Sequence, residues 1–156
     1  MDDLIIRKFR HDDTQPTAQV FFDAVRFGAA EHYTQNQRDT WAPCVPEPAR
    51  WQERLSTQTV FVAEHQGRLI GFMTLTPKGC IDLAFVAPDY MGRNVAHQLY
   101  DEIVRAAKSQ GLNKLTTEAS HLARPFFERH AWVVVKEQSV SIGEIALTNF
   151  LMTKEI

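Results

Sequence analysis

A mixed, mainly antiparallel α/β sheet with helices on both faces is the fold this sequence predicts, and three observations lead to it. Between Thr59 and Pro88 the extended runs "TVFVAEH", "LIGFMTLTP" and "IDLAFVAP" follow one another through short turns, the pattern of a meander. Beyond Pro88 helices and strands alternate, as they do in a sheet whose connections cross its faces. With 156 residues, 44% of them hydrophobic, the chain is long enough to bury the core of such a sheet as one domain over residues 1–156. The count comes to roughly six to seven strands.

Each element has a local reason. "LIIRKF" is a short β-rich run and the first strand. From Thr14 a helix is predicted, because Val20, Phe21, Ala24, Val25 and Phe27 recur at three- and four-residue spacing. The pattern fades in "EHYTQNQRDTWAPCVPEPARW", which holds three prolines and two tryptophans and reads as an irregular region with short helices, one starting near Pro48. "QGR" turns the first pair of extended runs into a hairpin, and "KGC" leads into the third. The next helix carries Val95, Leu99, Ile103 and Ala106 on one stripe, with Asp101, Glu102, Arg105 and Lys108 off it, and Gly111 is placed to end it. "LNKLTTEAS" then reads as a strand, "ARPFFERH" as a short helix, and the rest as a closing strand pair turning near Gly143.

Composition narrows the partners. Seventeen Lys plus Arg against nineteen Asp plus Glu leave a net charge of −2, with no electrostatic footprint for nucleic acid or an anionic membrane. The start, "MDDLIIRKFRHDD", lacks the apolar run of a signal peptide, and no window approaches a membrane span, so a cytoplasmic location is expected. Cys44 and Cys80 are far apart, and six scattered histidines show no ligand spacing, so neither a disulfide framework nor a metal site is predicted. The expected partner is a small molecule or a protein.

"VAPDYMGRNVAHQL" carries the chemistry. A strand, a small-residue loop and a helix N-terminus can cradle phosphate, because the first helical N–H groups lack partners and the helix dipole is positive there. Gly92 supplies one permissive backbone position, Asn94 tolerates the left-handed region, Ala96 keeps the first turn thin, and Arg93 adds positive charge. On these residues alone an ordinary turn capped by Asp89 or Asn94 explains the stretch slightly better than a cradle does.

The wider sequence decides between them. "MGRNVA", from Met91 to Ala96, resembles the pyrophosphate loop [QR]-x-x-G-x-[GA] of the GNAT superfamily of acyl-CoA-dependent N-acyltransferases. "SHLARPFFERHAW", from Ser120 to Trp132, is similar to the superfamily's second block, N-x-x-A-x-x-x-Y-x-x-x-G-F. The flanks look closer still to a small bacterial branch, the YafP-like acetyltransferases, through His32, Tyr33, Thr34, Trp41, Ala42 and Pro43, through "T-x-E-A-S" before "A-R-P-F-F-E", and through Leu147 to Met152. The resemblance implies a single GNAT-type domain that binds acetyl-CoA as cosubstrate, without a metal. Its cofactor contacts fall on Phe85, Val86, Met91, Gly92, Arg93, Asn94, Val95, Ala96, Ser120, Arg124 and Phe127, with backbone around Phe85 and Val86 holding pantetheine like an added strand. There are departures: Met91 stands for Gln or Arg, Asn94 for glycine, Ser120 for Asn, Ala131 for the second block's glycine, and Phe127 for the tyrosine thought to protonate the departing thiolate.

The implied reaction is acetyl transfer to a primary amine of a small molecule or peptide in a direct ternary complex. A thiol of pKa near ~8.5 leaves tolerably at neutral pH, so loss of the tyrosine weakens the acid assignment without removing the chemistry. An amine of pKa ~10.4 needs a proton acceptor. On "LTTEAS" alternate side chains share a face, so Glu118 accompanies Ser120 toward the cofactor side and is the first candidate base. Asp82, inside an apolar run, is the second, with a hydrogen-bonded structural aspartate or a salt bridge as its structural explanation. For the acceptor, Glu31, His32, Tyr33 and Trp41 follow the first strand where this superfamily shapes its substrate site, and Tyr33 is the stand-in acid; aromatic packing beneath a loop explains the segment equally well. The departures at Phe127 and Met91 keep one alternative open, a catalytically weak or inactive acyl-CoA-binding sensor or interaction module. Homodimers are common in the superfamily, although the sequence does not reveal an oligomeric state.

Overall fold

A computed structural model describes residues 2–156. Seven strands form one sheet in the order β1-β2-β3-β4-β5-β7-β6. They are β1 (Leu4–Lys8), β2 (Thr59–His65), β3 (Arg68–Leu75), β4 (Cys80–Val86), β5 (Lys114–Ser120), β6 (Val133–Ile142) and β7 (Ile145–Glu155). Every neighbouring pair is antiparallel except β4 and β5. The hairpin predicted at "QGR" turns at Gln66 and Gly67, both at positive φ, and the closing pair turns at Gly143.

Helices cover both faces. On one lie α1 (Thr14–Asp23), α2 (Gln35–Trp41) and α3 (Pro48–Ser56); on the other lie α4 (Val95–Ser109) and α5 (Arg124–Arg129). Alternation along β2 supplies both layers: Val60 and Val62 pack with Phe21, Trp51 and Leu55, whereas Phe61 and Ala63 pack with Leu99 and Ile103. In α4 the residues Val95, Leu99, Ile103 and Ala107 are all at most 1% exposed, and burial of each Leu or Ile side chain contributes about 1.5–3 kcal/mol.

The region read as irregular is organised by caps. Thr34 and Gln37 form a reciprocal capping box that starts α2, with the Gln37 N–H donating to Thr34 Oγ1 at 3.1 Å and the Thr34 N–H donating to Gln37 Oε1 at 2.9 Å. The Glu47 carboxylate accepts the Ala49 and Arg50 amides ahead of Pro48, which starts α3. The predicted first helix is longer than α1, because it continues from Ala24 to Gly28 as a π-helical turn.

Candidate active site

The site forms where the one parallel pair comes apart. Among the described residues β4 and β5 share two register pairs, Cys80↔Thr116 and Ile81↔Thr117, and then diverge. On its other edge β4 stays tied to β3: the Leu83 N–H donates to Thr74 Oγ1 at 3.0 Å and the Ala87 N–H to the Ile70 carbonyl at 2.7 Å. Strand alternation therefore turns the backbone groups of Ala84 and Val86 into the gap. A cavity of about 560 Å³ occupies this gap and continues over the start of α4.

At the α4 end the backbone is set for an anion. Asn94 sits at φ 68°, ψ 12°, the left-handed conformation its side chain tolerates, and makes no side-chain cap. Gly92, at φ 76°, faces open space where a Cβ would stand, so the loop leaves room for a ligand to approach its backbone. The first helical bond is Gln98 N–H to the Asn94 carbonyl at 3.4 Å, and among the described residues no amide from Gly92 to His97 donates to a backbone carbonyl outside the helix. Unpartnered amides at a helix N-terminus attract phosphate. The cavity thus joins an unpaired backbone edge along β4 to amides open to an anion at α4.

Of the predicted cofactor residues, Phe85, Val86, Met91, Gly92, Asn94, Val95, Ala96, Ser120 and Phe127 line the cavity. Arg93 and Arg124 stand outside its lining. The Arg93 guanidinium lies 5.4 Å from the Tyr90 ring centroid, while Arg124 covers the Phe150 ring at 4.3 Å and donates to Glu128. Met91, where the motif has Gln or Arg, packs its thioether end against Gly28 in the π-helical turn, and a Cβ at Gly28 would overlap it. Phe127 is 1% exposed and rests on Trp132 and Phe126, so this wall is apolar where the motif has a hydroxyl. Ser120 Oγ accepts the Ala123 N–H at 3.2 Å, which leaves its own proton free to donate.

The catalytic candidates lie elsewhere. Glu118 is exposed on the face of β5 opposite α4 and, among the described residues, makes no side-chain hydrogen bond or ion pair. Asp82 is held by α3: Arg54 donates to it through Nε at 3.1 Å and Nη2 at 3.0 Å, and Gln58 Nε2 adds a third bond at 2.8 Å. Asp82 and Glu118 each directly follow the last paired residue of their strand, so both carboxylates stand where β4 and β5 part; burial pushes the neighbouring Cys80 thiol up, against a hydrogen bond with Thr116, and the two carboxylate charges add to the rise. Tyr33 is 5% exposed; its hydroxyl donates to the Thr148 carbonyl at 2.7 Å and accepts the His121 N–H at 2.9 Å. Burial raises its pKa, so the proton is held there rather than offered. Around it gather Trp41 and His121, with His32 stacked on His121, while Glu31 and His32 stay exposed. None of these acceptor-side residues lines the cavity.

Ala84, Tyr90, His97, Phe126, Arg129 and His130 also line the cavity, without having been singled out in the sequence. His130 falls within the second motif, and the Phe126 ring precedes the motif's tyrosine position, so both carried a positional signal. His97 and Tyr90 carried none beyond closeness to the loop. Among the described residues no helix is long and apolar enough to cross a membrane.

Comparison with known proteins agrees with this geometry. The acetyltransferase (GNAT) domain family matches residues 29–154. The chain is 34% identical over 152 residues to the uncharacterized N-acetyltransferase YafP of Escherichia coli (strain K12), covering 97% of this chain and 96% of that one. A GCN5-related N-acetyltransferase from Rhodopseudomonas palustris superposes with a TM-score of 0.93 at 33% identity, over 100% of this chain and 98% of the other. The PaiA N-acetyltransferase of Thermoplasma acidophilum, solved in complex with coenzyme A, shares the fold at a TM-score of 0.73 and 19% identity, over 98% and 99% of the two chains.

Proposed function

The chain belongs to the GNAT acetyltransferase family, and on that premise we propose that it moves an acetyl group from acetyl-CoA to a primary amine of a small molecule or peptide, directly, within a ternary complex on a single domain. Family membership favours an enzyme over the acyl-CoA-binding module that Met91 and Phe127 left open. The observation that carries the cosubstrate reading is the joining of left-handed Asn94 and the free amides of α4 to the gap between β4 and β5.

When bound, acetyl-CoA supplies an activated thioester whose thiolate, pKa near ~8.5, is a tolerable leaving group. The chain's own residues do the rest. Amides from Gly92 to His97 receive the phosphates, and Ala84 and Val86 bind the pantetheine amides as a neighbouring strand would. The Ala84 N–H, further from α4 than Val86, polarises the thioester carbonyl. Glu118, without a hydrogen-bond or ion-pair partner among the described residues, takes the proton that the attacking amine loses, directly or through water. Asp82 is the second carboxylate, and its pair with Arg54 suits it to holding charge beside Glu118. The Ser120 hydroxyl donates toward the departing sulfur in place of the missing phenol. Trp41, His32, Glu31 and the ring of Tyr33 border the acceptor's approach from the α2 face.

Titration with acetyl-CoA, followed by thiol release over a panel of amines, tests the proposal. Saturable binding and amine-dependent release are expected. Absence of both binding heat and a rise in Tm at saturating acetyl-CoA would overturn the reading.

A further inference from the structure

Two histidines face each other in the cavity wall beside the open amides. His97 is the third residue of α4, His130 directly follows α5, and both line the cavity. Their rings stack with centroids 5.0 Å apart at 18°, and His97 Nδ1 lies 3.3 Å from His130 Nε2. The other ring nitrogen of His97, Nε2, lies 3.4 Å from Asp101 Oδ2, one turn further along α4.

The contact between His97 Nδ1 and His130 Nε2 limits how protons distribute: in the neutral pair one ring donates there and the other accepts. The donating ring then keeps one nitrogen without hydrogen. A proton added there makes the pair a monocation and breaks neither contact. A second added proton would set two N–H groups head to head between two cations, so the contact accommodates one added proton and not two. The charged groups facing His130 are His97 and Asp101 from α4, its neighbour Arg129, and Lys154 from β7. Burial, then His97, hold its pKa below the ordinary histidine value, with Arg129 and Lys154 acting the same way and Asp101 opposing.

From this juxtaposition we propose that His97 and His130 act as a one-proton receptor for phosphate: between them they take up one proton when the nucleotide end of the cosubstrate enters the cavity. The proposal rests on acetyl-CoA as cosubstrate. Its phosphate chemistry comes from either of two sources, the diphosphate or the 3′-phosphate of the ribose. The negative charge of the entering phosphate, from either source, stabilises the monocation, so affinity rises as pH falls through the histidine range.

Calorimetric titration of the full chain with CoA, at one pH near 7 in buffers of different ionisation enthalpy, reads the proton count directly. We expect a net uptake approaching one proton per CoA in the wild type and near zero in His97→Gln and His130→Gln. Across pH 6 to 8 the wild-type Kd should rise about tenfold and the variants' Kd should stay flatter. The 3′-dephospho form of CoA separates the sources: retained uptake assigns the diphosphate, lost uptake the 3′-phosphate, and each supports the receptor. CoA binding without proton uptake in the wild type, or equal uptake in wild type and both folded variants, overturns it. The wild-type pH slope stands as a second test if a variant does not fold, and a flat slope overturns the proposal. No CoA binding at all overturns the cosubstrate reading instead, and this inference with it.

Discussion

The two sides of the gap between β4 and β5 are built by different means. On the α4 side most of the working groups are backbone, amides exposed by the left-handed turn at Asn94 and by the parting of two strands, with the His97–His130 pair as the side-chain exception. On the α2 side they are side chains brought from distant parts of the chain, with Tyr33 bonded to residues 88 and 115 positions away and Glu118 presented from the middle of a strand. The first construction tolerates replacement of side chains, as Met91 and Phe127 illustrate, provided that the conformation survives. The second depends on the identity of each side chain. Cofactor binding should therefore follow backbone geometry, and turnover should follow side-chain chemistry.

The largest expected effect sits on the side-chain half. Glu118→Gln should lower kcat by about 10²-fold or more while changing the Kd for acetyl-CoA less than twofold, as loss of a general base requires. Asp82→Asn should cost less, because the carboxylate is engaged by Arg54 and Gln58. Steady-state kinetics beside a binding titration separates the two quantities; full activity in both variants would remove the carboxylates from the mechanism.

Next comes Tyr33→Phe, which leaves the Thr148 carbonyl and the His121 amide without their partner. It should reduce stability by about 1–3 kcal/mol, measured by denaturant unfolding. It should also raise the acceptor's KM and leave acetyl-CoA affinity unchanged. A change confined to acetyl-CoA affinity would break the division between the two halves.

A smaller effect belongs to Gly28→Ala. The added methyl overlaps the thioether end of Met91, a flexible group that yields by moving toward the cavity it lines. We expect CoA binding to weaken a few-fold in calorimetry with little change in Tm; a large fall in Tm with unaltered affinity would show Met91 to be held by packing alone.

The same contrast explains what the sequence disclosed. The hairpin, α4 and the left-handed Asn94 were legible because each depends on neighbours within a few residues: alternation, three- and four-residue spacing, and a residue type that tolerates positive φ. The mixed, mainly antiparallel sheet with helices on both faces followed from the meander, the alternation of helices and strands and the family resemblance, whereas the strand order and the parallel contact of β4 with β5 came only from the fold. Local signals did not reveal that Met91 packs on Gly28, that Asp82 is held by Arg54, or that the Tyr33 hydroxyl closes a bridge to β7. Those contacts join segments that only the folded sheet brings together. Arg93 and Arg124 were placed at the cofactor by charge and motif position, yet the aromatic rings of Tyr90 and Phe150 hold them outside the cavity lining. The turn from Ala24 to Gly28 was hidden for another reason: its helical spacing is intact, and only the π-helical hydrogen bonding distinguishes it.

The central claim, that a left-handed backbone at Asn94 makes the phosphate cradle, is tested most directly by calorimetric titration of acetyl-CoA into the wild type, Asn94→Gly and Asn94→Val. Glycine adopts the conformation freely, whereas a β-branched residue meets a steric cost of about 1–2 kcal/mol there, a factor of roughly 5 to 30 in affinity. The account predicts that the glycine variant binds as well as the wild type or better, and that the valine variant binds about tenfold more weakly. A valine variant that bound as tightly as the wild type would contradict it.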